Sequence, residues 1–405
     1  MPKTLTKVKR RIYLDYASLT PIDPRVLLEV NKYLTVEYAN PSSWYREGVS
    51  AKKTMDEALK SVANFLHAHA DEIVFTSGGT EANNMALLGV FGARQNKKPH
   101  IVVSAIEHSS IMETARTLEG RGCELSIIPV DKNGIVDLVE LKKSIKTNTV
   151  LVSIMTVNNE IGSIQPIREI AKIVRQARAK FAGDRSELEN NYPLFHTDAA
   201  QAGLFNDLNV EQLGVDLLTL DGGKIYGPRG IGALYVKRYL LKGGISVTDG
   251  QKLIQPIMFG GGQEGGMRSG TENVGAICGF AKALEIAHGE RMKETARLIE
   301  LKDFFVAGLK KIRPDIIVNV GGINVSPHII SISIPNIDNE FFVMQLDAAG
   351  VACSTKSSCL RDQDESYVLK AVGADSTTSV RFSLGRWTKK GDIVAVLKII
   401  NNLLA

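Results

Sequence analysis

Between residues 70 and 240 the chain alternates two patterns of apolar and polar positions. Short runs, Glu72-Ile-Val-Phe-Thr76, His100-Ile-Val-Val-Ser104, Glu124-Leu-Ser-Ile-Ile-Pro129 and Val150-Leu-Val-Ser-Ile-Met155, keep apolar residues at consecutive positions. They predict strands buried on both faces. The intervening segments 80–96, 108–119, 135–146 and 166–181 carry apolar residues at helical spacing and predict amphipathic helices. Such alternation builds an α/β fold, a mostly parallel sheet flanked by helices. Ligands in sheets of this kind bind beyond the carboxyl ends of the strands, so the loops there are where chemistry is sought.

After Gly262 the pattern changes. A long helical stretch covers 272–312, strands fall near 316–320, 329–334 and 378–384, and helices near 338–348 and 389–404. The prediction is a large domain over 14–262 and a smaller α+β domain made of 1–13 and 263–405. The polar segment 185–192 reads as a surface insertion.

Composition narrows the class. With 405 residues, 44% apolar and 23% charged, the chain has globular proportions and room for two or three domains. The net charge of +5 is spread among interleaved acids and bases, and the one basic cluster, Lys3 to Arg11, reads as a solvated tail. No nucleic-acid partner is expected. No apolar stretch approaches the ~18 residues of a membrane span, and the N-terminus lacks an apolar signal core. Cys123, Cys278, Cys353 and Cys359 form no CxxC pair and share no zinc-like spacing with histidines, so no metal site is expected. So few cysteines point to a reducing, cytoplasmic setting.

Four strand-end loops and one turn carry candidate chemistry. In Thr76-Ser-Gly-Gly-Thr-Glu-Ala-Asn83, Gly78, Gly79 and Thr80 open a helix, either as an anion site or as a plain cap with Ser77 or Thr80 at the N-cap. His108 likewise follows a strand, as a ring-stacking or capping histidine. Thr156-Val-Asn-Asn-Glu-Ile-Gly162 offers two amides and a carboxylate, or an Asx turn. Asp198, in Phe195-His-Thr-Asp-Ala-Ala-Gln-Ala202, leaves an apolar strand, where a carboxylate is costly unless paired; a protonated pyridine nitrogen suits it, and a helix cap is the alternative.

The turn is Thr219-Leu-Asp-Gly-Gly-Lys-Ile-Tyr-Gly-Pro-Arg-Gly230. Its glycines surround Lys224, either an imine-forming amine in a desolvated pocket or a lysine in an exposed hairpin-like turn. Downstream, Cys359 ends a polar, small-residue segment predicted to move, with Lys356 and Arg361 near it to favour thiolate. Cys353 lies in an apolar run and reads as a packed strand residue. Arg381 sits in an alternating strand, where an inward guanidinium needs a carboxylate partner.

Taken in order, TSGGTEANN, the Glu107-His108 pair, VNNEIG, TDAAQ, KIYGPRGIGALYV, GGGQEGGMRSGT and RFSLGR resemble the pyridoxal-phosphate-dependent cysteine desulfurases of the class V aminotransferase superfamily, iron–sulfur-assembly type. The likeness runs from Ile12 to Arg386. It implies a fold-type I transferase and conversion of L-cysteine to L-alanine, with the sulfur moving to an enzyme persulfide and then to an acceptor or scaffold protein. Position by position, it implies that Lys224 forms the imine and shuttles the Cα proton. It gives Asp198 the pyridine nitrogen, Gln201 the phenolic oxygen, and His108 the ring face with a part in proton transfer. Gly79 and Thr80 take the phosphate, joined by Thr271 from the second subunit of a homodimer. Asn159 meets substrate or ring, Arg381 the substrate carboxylate, and Cys359 is the nucleophile.

The chain departs from this pattern at three places. Where the family has a serine or threonine, a small residue and histidine before the lysine, this chain has Asp221, Gly222 and Gly223. Tyr45 stands where histidine is usual, and Cys359 is followed by Leu-Arg-Asp. The alternatives are a related lyase or transaminase, such as a selenocysteine lyase, and a non-catalytic scaffold that keeps the fold.

Overall fold

The computed structural model describes residues 11–94, 98–182, 191–241, 253–355 and 365–405. The first third contains β1 (Ile12–Tyr13), α1 (Pro24–Thr35), α2 (Arg46–Leu66), β2 (Ile73–Thr76), α3 (Gly79–Gly92), β3 (His100–Ser104) and α4 (Ser109–Glu119). The middle adds β4 (Glu124–Ile128), α5 (Leu138–Ser144), β5 (Thr149–Ser153), α6 (Ile167–Phe181), β6 (Leu194–Asp198), α7 (Val210–Leu213), β7 (Leu217–Asp221), β8 (Gly232–Val236) and α8 (Arg238–Leu241). The remainder is α9 (Val274–Ile312), β9 (Ile317–Val318), β10 (Ile329–Ser333), α10 (Asn339–Ala348), β11 (Val351–Ala352), α11 (Tyr367–Ala371), β12 (Ser379–Ser383) and α12 (Lys390–Leu404).

Among the described residues, seven strands form the main sheet in the order β2-β8-β7-β6-β5-β3-β4. Only β8 runs against the others, pairing antiparallel with both β2 and β7. The apolar runs produce this sheet because successive side chains enter opposite cores. Val102, Val152, Phe195 and Leu218 enter one cluster, while Ile101, Val103, Leu151, Leu194 and Leu217 enter the other. Each fully buried aliphatic or aromatic side chain contributes roughly 1.5–3 kcal/mol. The central strands are thus committed to burial on both faces, whereas β4, expected to be buried likewise, is an edge strand that leaves Ile127 45% exposed.

A second core gathers around an antiparallel sheet, β12-β10-β9, with α10 and α12. Leu14, beside β1, belongs to this core, because β1 pairs in parallel with β11. Helix α9 serves both: Phe280 and Leu284 pack in the main core, Leu301 and Phe305 in the second. Asn273 caps its start by accepting the Ala276 N–H at 3.1 Å.

Two long helices carry no sequence expectation, α1 and α2, which lie against α9; the short α7, α8 and α11 carry none either. The buried stripe of α2 is partly Gly48, Ala51, Ala58 and Ala63, so its apolar face is faint in sequence. Helix α5 begins later than expected because Asp137 accepts the Val139 and Glu140 N–H groups and sets the cap there. The expected insertion at 185–192 falls largely on 183–190, outside the described residues, though Tyr192 itself is buried. No described helix is long and apolar enough to cross a membrane.

Candidate active site

The parallel strands end on one side of the sheet, and their loops surround a cavity of about 170 Å³. Gly79 and Thr80 arrive after β2, His108 after β3, Asn159 after β5, Asp198 and Gln201 from β6, and Lys224 after β7. Arg381 reaches the same cavity from β12 of the second sheet. A separate, larger cavity of about 580 Å³ contains none of these side chains.

The turn after β7 shows why its glycines matter. A Cβ on Gly222 would lie 2.7 Å from the Pro228 carbonyl oxygen and 2.8 Å from Ile231 Cγ2, so the chain folds back only with hydrogen there. That turn delivers Lys224 inward. Its Nζ donates to the carbonyl oxygens of Ala17, at 3.3 Å, and of Ser18. The exposed-hairpin alternative is therefore overturned by packing against the segment after β1.

Asp198 is 5% exposed. Its Oδ1 accepts the Ala200 N–H at 2.9 Å and its Oδ2 accepts Asn83 Nδ2 at 2.7 Å. Both donors are neutral, so a buried carboxylate faces the cavity with no cation bonded to it among the described residues. Asn83, 1% exposed, also donates to Ser110 Oγ at 2.8 Å, while its own Oδ1 lacks a partner among the described residues. Gln201 Nε2 donates to the Ala17 carbonyl at 2.7 Å.

His108 is at once cap and wall. Its Nδ1 accepts the Ser110 N–H at 3.2 Å at the start of α4, and its ring lines the cavity. The Asx turn is likewise present beside the functional position: Asn158 Oδ1 accepts the Glu160 and Ile161 N–H groups at 2.8 and 2.9 Å, and Asn159 lines the cavity. At α3 the expected cap is corrected. The N-cap is Gly78, at φ +147°, and the Gly79 N–H is met by the Asp221 carboxylate at 2.8 Å.

Arg381 is 2% exposed. Nη2 donates to Asp15 Oδ1 at 2.8 Å, supplying the carboxylate that the strand pattern requires, and Nη1 donates to the Asn159 carbonyl at 2.8 Å. Its Nε has no partner among the described residues. Behind this layer Glu107 is wholly buried, and burial pushes its carboxyl up to about 8, with the Asp198 charge acting the same way. Ser104 Oγ and the Met155 N–H donate to its Oε1 at 2.5 and 3.0 Å.

Thr271 is exposed and lies outside the cavity lining of its own chain. Cys359, with Lys356 and Arg361, lies outside the described residues. Cys353 is half-buried beside β11, and burial pushes its thiol up to about 12. Among the described residues no group of three or more His, Cys, Asp or Glu could hold a metal ion. Site positions without an assigned part in the sequence are Asn83, Asp15, Glu107 and the Ala17–Ser18 carbonyls. Asn83 and Glu107 stand inside the motifs above and Asp15 just after β1, but the contacts of Asn83 with Asp198, of Asp15 with Arg381 and of Glu107 with Met155 join distant segments and leave no local signal.

Residues 12–396 match the aminotransferase class-V family. A relative named cysteine desulfurase IscS, from Dictyoglomus turgidum, is 39% identical over 402 residues, covering 98% of this chain and 95% of its own. Among solved structures, a NifS-like protein superposes with a TM-score of 0.86 at 32% identity, over 97% of this chain and 99% of that one. Another, described as SspA in complex with cysteine, gives a TM-score of 0.76 at 30% identity, over 93% and 100%.

Proposed function

Because the chain belongs to the class-V aminotransferase family, we infer that it is a cysteine desulfurase that uses pyridoxal phosphate. It converts L-cysteine to L-alanine and passes the sulfur through an enzyme persulfide to an acceptor protein of iron–sulfur or thio-cofactor assembly. One observation carries this reading. The amine of Lys224, the carboxylate of Asp198 and the guanidinium of Arg381, far apart in sequence, line one cavity.

The residues fit the cofactor at its ring and aldehyde ends. Asp198 is a buried carboxylate bonded only to neutral donors, and Asn83 Oδ1 and Arg381 Nε are buried polar atoms without partners among the described residues. When bound, pyridoxal phosphate supplies an aldehyde for imine formation and an electron-withdrawing ring. Lys224 Nζ would hold the aldehyde carbon and carry the proton to and from the substrate Cα. Asp198 would keep the ring nitrogen protonated, Gln201 would face the phenolic oxygen, and His108 would cover the ring. Gly79 and Thr80 stand at the phosphate end. Arg381 would bind the substrate carboxylate, with Asn159 beside it.

Cys359 thiolate attacks the substrate sulfur, forming an S–S bond as the Cβ–S bond breaks. L-Cysteine and the Cys359 thiol thereby become L-alanine and a Cys359 persulfide, with no external oxidant. The reading includes a homodimer in which Thr271 meets the partner's cofactor, and a reducing, cytoplasmic setting that keeps Cys359 a thiol. It also includes division into 14–262 and 1–13 with 263–405; the separate core around β12-β10-β9 supports two units, while Leu14 in that core and Phe280 and Leu284 in the main core favour seams after β1 and within α9.

Alanine and sulfide release from L-cysteine, in the parent and in Cys359→Ala, tests the function. Release by the parent and its loss in the variant are expected. Equal release by both favours a lyase that needs no attacking thiol, and absence of a visible–ultraviolet cofactor band favours a scaffold.

A further inference from the structure

Asp221 ends β7 on the wall of the same cavity, and both of its carboxylate oxygens are engaged. Oδ2 accepts the Gly79 N–H at 2.8 Å, and Oδ1 accepts the Gly223 N–H at 2.7 Å. The Gly79 N–H opens α3, a fourteen-residue helix, and is one of the donors that a helix leaves unsatisfied at its positive end. An anion belongs there, and the chain supplies its own. A Cβ on Gly79 would sit 3.2 Å from Asp221 Oδ2, so the carboxylate fills the space above the first turn as well as satisfying its donor.

The backbone beneath is pinned. Asp221 pairs with Gly232 across the β7–β8 ladder, and Gly222 packs against Pro228 and Ile231. Side-chain rotation is therefore the local route by which the carboxylate leaves, and that rotation breaks both hydrogen bonds.

We propose that Asp221 is a tethered anion occupying the phosphate end of the cofactor site, so that this chain discriminates against the cofactor's phosphate and holds the molecule chiefly by its ring and aldehyde. The proposal rests on the pyridoxal-phosphate reading above. A phosphate oxygen reaching for the Gly79 N–H meets a donor whose single proton is already shared with a carboxylate, and two anions in one cradle repel. The ring-end groups Asp198, Gln201 and His108 are untouched by this competition.

The test is titration of the purified apoprotein with pyridoxal phosphate and, separately, with phosphate-free pyridoxal. Absorbance is followed in the parent, Asp221→Ser and Asp221→Asn, and the thermal midpoint of each apoprotein reports folding. Removing the charge is expected to tighten pyridoxal phosphate by about tenfold or more in Asp221→Ser, equivalent to about 1.4 kcal/mol. Asp221→Asn, which keeps the side-chain shape, moves the same way by less, and pyridoxal affinity stays within about twofold. Unchanged or weaker pyridoxal phosphate binding in both variants overturns the proposal, as does equal tightening of both aldehydes. If neither aldehyde gives a borohydride-reducible adduct with the parent or a variant, the cofactor reading itself has failed. An adduct without selective tightening sinks the role of Asp221 alone.

Discussion

Arg381 Nη2 lies 2.8 Å from Asp15 Oδ1, joining the central part of β12 to the residues just after β1. The pair ties the second sheet to the N-terminal segment whose next residues, Ala17 and Ser18, receive the Lys224 ammonium. With the Ser383 N–H on the Leu14 carbonyl and the Ala17 N–H on Ser383 Oγ at 2.8 Å, this pair links the groups assigned to substrate and cofactor. Asp15→Ala leaves a buried guanidinium without its carboxylate and is expected to lower stability by roughly 3 kcal/mol, read by chemical denaturation. Arg381→Lys keeps the charge but loses the planar fork, and should raise the KM for L-cysteine by about tenfold or more. An unchanged KM would remove Arg381 from the substrate site.

Asp198 and Asn83 form the next layer. Asp198→Asn cannot hold a ring nitrogen protonated, so kcat should fall by about 100-fold or more. Asn83→Ala removes a 2.7 Å hydrogen bond to that carboxylate and should cost about tenfold. Steady-state kinetics of the two variants and of their combination checks the order, and the double variant should resemble Asp198→Asn alone.

Glu107 gives a pH dependence of stability with a definite sign. Its carboxyl is raised from 4.5 to about 8 in the folded chain, chiefly by burial. The native state therefore keeps a proton that the unfolded chain releases. The resulting contribution is complete below about pH 4.5 and falls as pH rises towards 8. Glu107→Gln should flatten the stability profile between pH 5 and pH 8, measured by urea unfolding. An identical slope in parent and variant would contradict this assignment.

Gly385 packs against an aromatic side chain. A Cβ there would overlap the ring of Tyr16, itself edge-on to Tyr13 and tilted against Tyr226. Gly385→Ala should destabilise the protein by about 1–3 kcal/mol through overpacking, visible as a lower thermal midpoint.

The sheet and most helices were legible because a strand buried on both faces leaves an uninterrupted apolar run, as at Val150–Val152, and because its following loop then marks the site. Lys224, Asp198 and His108 could be singled out on that ground. Helices α1 and α2 were not legible, since α2 hides its contact face in glycine and alanine. Asp15 and Asn83 escaped for a different reason: each acts on a residue more than a hundred positions away, and no local spacing records such a pair. Asp221 shows both limits. Its identity stood out in the sequence, but only the fold shows the carboxylate turned into the anion cradle rather than away from it.

The account depends above all on Lys224 as the residue that carries the cofactor. Borohydride reduction of the purified holoprotein followed by peptide mass mapping tests it most directly. A stable adduct confined to the peptide containing Lys224 is predicted, absent from Lys224→Ala, which should also release no alanine from L-cysteine. An adduct on a different lysine, or a Lys224→Ala protein that turns over L-cysteine at the parent rate, would contradict it.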